Sequence, residues 1–149
     1  MARKKILGAL LIALGCLNSV SWAKGELAVV VSAKNQIATL TSKEVASIFL
    51  GKNRVMPDGT KVIPLDQFEG QSARFEFYSK VVNKTPNQLN SYWSRLIFTG
   101  KGQPPFAVSG DEEVLEFVSS NPNMIGYVAV DSLSTSSLSE NVKVLLTVE

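Results

Sequence analysis

The segment from Phe98 to Val128 constrains the fold more than any other part of the chain. It begins with a loop rich in glycine and proline, and an amphipathic helix with acidic residues in its first turn is predicted next. Pro122 ends that helix, and the apolar run 124–130 then predicts a buried strand. A loop, a helix and a buried strand in close succession are typical of one unit of an α/β domain.

The N-terminal residues have the pattern of a secretion signal. Basic residues 3–5 precede the apolar run 6–17, and Ser21–Ala23 places small residues at both specificity positions of a signal peptidase site. The pattern predicts a signal peptide over residues 1–23, cleavage after Ala23 and secretion to the periplasm. Two alternatives are an uncleaved membrane anchor, although the run is short for a bilayer, and a lipoprotein acylated at Cys16.

Removal of the predicted leader changes the charge and excludes several classes of function. The full chain has 15 basic and 13 acidic residues, and residues 3–5 are basic, so residues 24–149 carry a net charge of −1. This balance gives no support for nucleic-acid binding. Residues 24–149 contain no histidine or cysteine, which excludes disulfides, thiolate zinc sites and histidine-dependent catalytic pairs. Their length suits one domain, and neither a metal nor a cofactor is expected.

Apolar runs of strand length alternate with helix signals along this domain. Strands are predicted at 26–32, 61–65, 124–130 and 142–148. Helices are predicted to begin at Thr41, near Gly70–Ser72, at Thr85 and at Ser109, and Gly51 is expected to end the first. Side chains expected to point inward from the second and third helices are Phe75, Tyr78, Val82, Leu89, Trp93, Leu96 and Ile97. The Ser/Thr-rich segment 132–139 is expected to be a loop or a loose helical turn. The alternation predicts an α/β sheet with helices on both faces.

Several segments resemble the substrate-binding receptors of phosphate ABC transporters, which have the type 2 periplasmic-binding fold. The similar segments follow the family's order and are Ile48–Lys52, Pro57–Pro64, Ser91–Trp93, Phe98–Gly102 and Pro122–Val128. The resemblance implies a single periplasmic-binding-protein-like lobe with a central mixed sheet and helices on both faces. It also implies a non-catalytic, solute-binding role. In that family the ligand lies between two lobes, and this chain has about half the length of such a receptor.

The same resemblance implies an anion site, because the segment 66–74 matches the family's second phosphate loop. The candidate residues offer helix-start amides, a hydroxyl and a guanidinium, and are Gly70, Gln71, Ser72 and Arg74. Asp66 and Glu69 are expected to repel an anion there unless they point away, since two unit charges at 4 Å interact by about 4 kcal/mol near a protein surface. Alternatively, Ser72 is a helix N-cap, and Arg74 is exposed or paired with Asp66 or Glu69.

Two functions follow from these predictions. One is binding of phosphate or another oxyanion, or an accessory role in phosphate uptake through a membrane transporter. The other is a ligand-free structural or protein-interaction module of the cell envelope. Lys101 either contacts an anion or is a solvated loop residue, and Asp111–Glu113 is expected to stabilise a helix start and not to bind metal. No enzyme is expected, because Asp66 and Glu69 lack the supporting polar groups of a paired-carboxylate hydrolase.

Overall fold

The structure is a computed structural model that describes residues 25–149, and the predicted leader with Cys16 lies outside the described residues. Within residues 25–149, five strands and five α-helices follow one another. In order they are β1 (Leu27–Ser32), α1 (Ser42–Phe49), β2 (Ile63–Gln67), α2 (Ser72–Phe77), α3 (Pro86–Phe98), β3 (Phe106–Val108), α4 (Asp111–Ser120), β4 (Met124–Ala129), α5 (Val130–Thr135) and β5 (Val142–Val148). A π-helical turn, Tyr78–Val82, continues α2, and a 3-10 turn, Ser139–Asn141, precedes β5.

The strands form one mixed sheet with the order β3-β2-β4-β1-β5. Strand β2 is parallel to β3 and β4, whereas β1 is antiparallel to β4 and β5. The predicted α/β class with a central mixed sheet is therefore confirmed, and the apolar run that begins at Met124 is the central strand. Because β2, β3 and β4 are parallel, their carboxyl ends meet at one edge of the sheet, where ligands bind in many open α/β folds.

Helices cover both faces of the sheet, as predicted. On one face, α1, α2 and α3 enclose an apolar core in which the rings of Phe77 and Tyr127 stack with centroids 4.0 Å apart. On the other face, α4 packs so closely that a Cβ on Gly126 of β4 would lie 2.5 Å from a methyl of Val114. The glycine in the central strand is therefore required for the contact between α4 and the sheet.

Local signals marked most element ends correctly. The helix starts predicted at Thr41 and Thr85 are confirmed, and each is a capping box: Thr41 is bonded to Glu44 at the start of α1, and Thr85 to Gln88 at the start of α3. Gly51 follows the first helix with φ of 69°, the left-handed conformation that favours glycine after a helix. These signals involve residues close in sequence, which is why they could be recognised in the sequence alone.

Several predictions about the interior were wrong. Strand β2 ends at Gln67 instead of residue 65, and β3 was not predicted at all. Phe75 is 59% exposed, because Ala73 and Phe77 occupy the buried face of α2. Phe75 lies two residues from each of them and therefore points away from that face. Ile97 is 54% exposed because the last turn of α3 lies at the surface. By contrast, the segment 132–139, expected to be a loop or a loose helical turn, contains the end of α5 and the start of the 3-10 turn, so the helical alternative is the one found.

Candidate functional site

A buried carboxylate lies at the carboxyl end of β2. Asp66 is only 3% exposed. Its oxygens accept hydrogen bonds from the backbone amide of Gln67 at 2.8 Å, from the Tyr78 hydroxyl at 2.7 Å and from the Tyr127 hydroxyl. Arg74 lies close to the same carboxylate, with Nη2 3.7 Å from Oδ2. Three donors and one cation therefore satisfy a charge that the fold has removed from water.

Both tyrosine hydroxyls donate to the Asp66 carboxylate, and the Tyr127 hydroxyl also accepts from the backbone amide of Gln67 at 3.3 Å. Burial, followed by the negative charge of Asp66, raises the pKa of the Tyr78 hydroxyl well above its usual value of 10.0. The same two causes, in the same order, raise the pKa of Tyr127. Both hydroxyls stay protonated at any physiological pH, so neither is a proton-transfer group at neutral pH.

The side chain of Arg74 is held by the strand that precedes its helix. Nε donates to the Gln67 carbonyl at 3.1 Å, and the guanidinium carbon lies 4.9 Å from the centre of the Tyr78 ring. Of the alternatives left open by the sequence, pairing with Asp66 is the arrangement found. The guanidinium is fixed in place but is not fully buried, since 17% of the side chain remains exposed.

The start of α2 differs from the prediction by one residue. Gln71 is the N-cap, with φ of −73° and ψ of 130°, and Ser72 is the first helical residue, so the N-cap interpretation of Ser72 is wrong. The Gln71 amide donates to the Phe68 carbonyl at 3.3 Å and is already used. The amides of Ser72, Ala73 and Arg74 have no acceptor within the helix, because the first turn of a helix has no preceding carbonyls.

All four predicted anion-site residues line one pocket of about 500 Å³ between α2 and α3. We call it the carboxyl-edge pocket; its lining also contains Glu69, Phe75, Tyr78, Lys84, Pro86, Leu89 and Asn90. Of the two carboxylates expected to repel an anion, Asp66 lies beneath the pocket and is satisfied there. Glu69 faces the pocket and opposes the charges of Arg74 and Lys84. The walls are largely apolar, as is common for small-molecule sites.

A second group of hydrogen bonds joins this edge to the opposite face of the sheet. Gln67 Nε2 donates to Asp111 Oδ1 at 2.7 Å and to the Tyr127 carbonyl at 3.0 Å. Asp111 Oδ2 accepts from the Ala129 amide at 3.0 Å and from the Ser132 hydroxyl at 2.6 Å. Asp111 therefore joins β2, α4, β4 and α5, which goes beyond the helix-start role predicted for it.

The roles of Gln67, Tyr127 and Ser132 were not predicted from the sequence. Their partners are distant in sequence, and the one local signal was a polar pair, Asp66–Gln67, directly after an apolar run. Gln67 Oε1 is buried and has no hydrogen-bond partner among the described residues. Within residues 25–149, no group of three or more Asp, Glu, His or Cys side chains is close enough to hold a metal ion. No helix in the same range is long and apolar enough to cross a membrane.

No protein-family model and no curated protein sequence matches this chain. Solved structures do match. An ABC-type phosphate transport receptor from Vibrio cholerae aligns with a TM-score of 0.61 at 17% identity, covering 81% of this chain and 46% of the receptor. PstS from Borrelia burgdorferi aligns with a TM-score of 0.61 at 16% identity, covering 81% of this chain and 47% of PstS. At such identities the similarity establishes the fold, and this chain spans less than half the length of the receptors it matches: its fold is that of one periplasmic-binding-protein-like lobe.

Proposed function

We propose that this chain is a non-catalytic, exported protein that binds phosphate or a related oxyanion, or assists its uptake through a membrane transporter. The observation that carries the proposal is the meeting of Gly70, Gln71, Ser72 and Arg74 in the carboxyl-edge pocket. This position at the ends of parallel strands is the usual ligand position in open α/β sheets. The likeness to phosphate receptors adds support at the level of the fold alone.

Hydrogen bonds to fixed donors would carry the recognition. The backbone amides of Ser72 and Ala73 have no acceptor within the helix. Together with the Ser72 hydroxyl, they form an array of donors at the start of α2. Arg74 is positioned by the Gln67 carbonyl, and its contact with Asp66, at 3.7 Å, is too long for a hydrogen bond. Its Nη groups make no hydrogen bond with residues 25–149 and are available to an anion, and Lys84 supplies a second positive charge.

The balance of charges predicts weak binding by the isolated chain. Glu69 faces the same pocket as Arg74 and Lys84, and Asp66 offsets part of the Arg74 charge. Opposing unit charges at about 4 Å are each worth about 4 kcal/mol at a protein surface, so one misplaced carboxylate cancels most of one cation. A second copy of this chain or a partner protein would enclose the pocket and strengthen binding by excluding water.

Titration calorimetry with phosphate, sulfate and molybdate tests the proposal. We expect weak heats with at least one oxyanion, weaker binding in Ser72→Ala, and tighter binding by about tenfold or more in Glu69→Gln, because the substitution removes the repelling charge. Glu116→Gln, on the exposed face of α4, is the matched control and leaves the affinity unchanged. No heat at millimolar ligand in the parent and in Glu69→Gln would refute oxyanion binding.

A specific observation favours the second candidate, a protein-interaction module. Phe68 and Phe75 are 53% and 59% exposed on the turn and helix that form the carboxyl-edge pocket. Exposed aromatic side chains beside an apolar pocket are typical of protein interfaces. A photo-crosslinking residue at position 75 separates the two candidates: a defined partner that is lost in Phe68→Ser, with no oxyanion heat, favours the module.

A further inference from the structure

The end of α1, the loop after it, the later turns of α3 and the loop after α3 converge at a second place in the fold. The Tyr92 hydroxyl donates to the Leu50 carbonyl at 2.7 Å, which ties α3 to the end of α1. Arg54 Nη2 donates to the Gln103 carbonyl at 3.2 Å, which ties the loop after α1 to the loop after α3. Together these segments form a separate pocket of about 330 Å³ with Trp93 in its wall.

The side chains around this pocket carry charge of one sign. Lys52, Arg54 and Lys101 line it, and Arg95 lies one helical turn away with its guanidinium 6.0 Å from the Tyr92 ring. The segments 45–57 and 77–110 contain no Asp or Glu, although the whole chain has 13 acidic residues. Four of the twelve basic residues in 24–149 therefore lie at or near this pocket, in segments that contain no acidic residue.

Helix dipoles account for part of this concentration. Helices α1 and α3 both end here, and a helix C-terminus carries about half a negative charge that nearby cations stabilise. Two such ends balance about one positive charge, whereas Lys52, Arg54 and Lys101 supply three. About two uncompensated positive charges remain, or about three with Arg95, so capping alone does not explain the cluster.

An apolar tip protrudes from the same end. Phe98, the last residue of α3, is 93% exposed, and the neighbouring Ile97 is 54% exposed. Arg95 precedes Phe98 by one turn of α3, and Lys101 lies in the loop three residues after the end of the helix. We define the basic tip as Lys52, Arg54, Arg95, Lys101, Ile97 and Phe98.

We propose that the basic tip docks this protein on an anionic phospholipid surface. Negative lipid head groups complement an acid-free cluster of lysine and arginine, and each such residue strengthens binding about fivefold near the surface. A protruding aromatic ring enters the interface between head groups and acyl chains without needing a matching cavity. An acidic protein partner would instead need a pocket for Phe98, and protein interfaces generally pair charges of both signs across them. The shape and the charge of the basic tip therefore fit a lipid surface better than an acidic protein.

Vesicle co-sedimentation of the protein, expressed as residues 24–149, tests this proposal. We expect half-binding at about 0.1 mM accessible lipid on vesicles with about 30 mol% phosphatidylglycerol, a weak affinity comparable to that of a single anchor. Pure phosphatidylcholine vesicles should bind little protein, and raising the salt tenfold should release it from the anionic ones.

Matched variants separate the tip from general adhesion. Lys52→Gln with Lys101→Gln should weaken binding about twentyfold, and Phe98→Ser about tenfold. The controls are Lys34→Gln with Lys43→Gln, two exposed lysines elsewhere, and Phe106→Ser, a ring that is 65% exposed on β3. The control variants should bind as the parent does. All variants, including those at the tip, should keep the circular dichroism spectrum of the parent.

Two results would overturn the proposal. One is an absence of binding at about 5 mM anionic lipid, well above the expected midpoint, which would leave an acidic protein as the better occupant of the tip. The other is binding that the control variants weaken as much as the tip variants do. Because the tip is distinct from the carboxyl-edge pocket, neither result bears on oxyanion binding.

Discussion

The carboxyl-edge pocket and the basic tip use positive charge in opposite ways. At the pocket, Arg74 is held against the buried Asp66 and the Gln67 carbonyl, so the fold itself uses much of its charge. At the tip, Lys52 and Lys101 extend into solvent, and the polar bonds there join backbone carbonyls to Arg54 and Tyr92. The first region therefore contributes to stability through charge, while the second leaves its charge available for a partner. Substitutions at the two places should have very different costs.

The largest difference is expected for Asp66→Ala. The change leaves two phenols, an amide and Arg74 without their common partner, and losing one member of a buried charged group costs about 3 kcal/mol or more of unfolding free energy. Urea unfolding monitored by circular dichroism measures the loss. Glu69→Ala, an exposed carboxylate three residues away, should change the same free energy by less than about 0.5 kcal/mol. Equal effects of the two substitutions would contradict the buried network.

Alkaline pH should destabilise the protein through the two buried tyrosines. Their folded pKa values are raised, so the folded state holds these protons above pH 10.0, where unfolded tyrosines release theirs. Stability is therefore intact below about pH 10 and is lost above it, by about 1.4 kcal/mol per pH unit for each tyrosine. The measurement is the slope of unfolding free energy between about pH 10 and pH 11. A Tyr127→Phe variant should have a slope that is smaller by the contribution of one tyrosine.

At neutral pH, the substitutions Tyr127→Phe and Tyr92→Phe compare the contribution of a tyrosine hydroxyl to stability in the two regions. Tyr127→Phe removes a donor from a buried carboxylate and should cost about 2 kcal/mol, the range for hydrogen bonds to charged groups. Tyr92→Phe removes a donor to the half-buried carbonyl of Leu50 and should cost about 1 kcal/mol. Thermal and urea unfolding measure both. A larger loss in Tyr92→Phe would reverse the proposed contrast.

The sequence predicted the elements better than it predicted this contrast. The capping boxes at Thr41 and Thr85 are local signals, and the run from Met124 is apolar enough to indicate a buried strand without any tertiary knowledge. Strand β3 has three residues, Phe106–Val108, too few to show a periodicity, and it follows two prolines. Strand order depends on long-range pairing, which no single segment records.

The site was predicted as a set of residues but not as an arrangement. The candidate residues of the segment 66–74 all line the carboxyl-edge pocket, while their role in anion binding stays a prediction. The burial of Asp66 was missed because its phenol partners lie 12 and 61 residues away along the chain. A carboxylate beside an expected anion site therefore looked repulsive, although the fold turns it inward.

The smallest effect on stability is expected where the effect on binding is large. Lys52→Gln with Lys101→Gln should change the unfolding free energy by less than about 0.5 kcal/mol, because both side chains are exposed and belong to no ion pair found among residues 25–149. Neutralising them removes the repulsion among the tip cations but also the favourable interaction with the ends of α1 and α3, and the two effects oppose each other. Urea unfolding at low and high salt distinguishes them, since stabilisation confined to low salt indicates that repulsion dominates. A loss above about 1 kcal/mol at both salt concentrations would instead make the lysines structural, and the basic tip would then resemble the carboxyl-edge pocket.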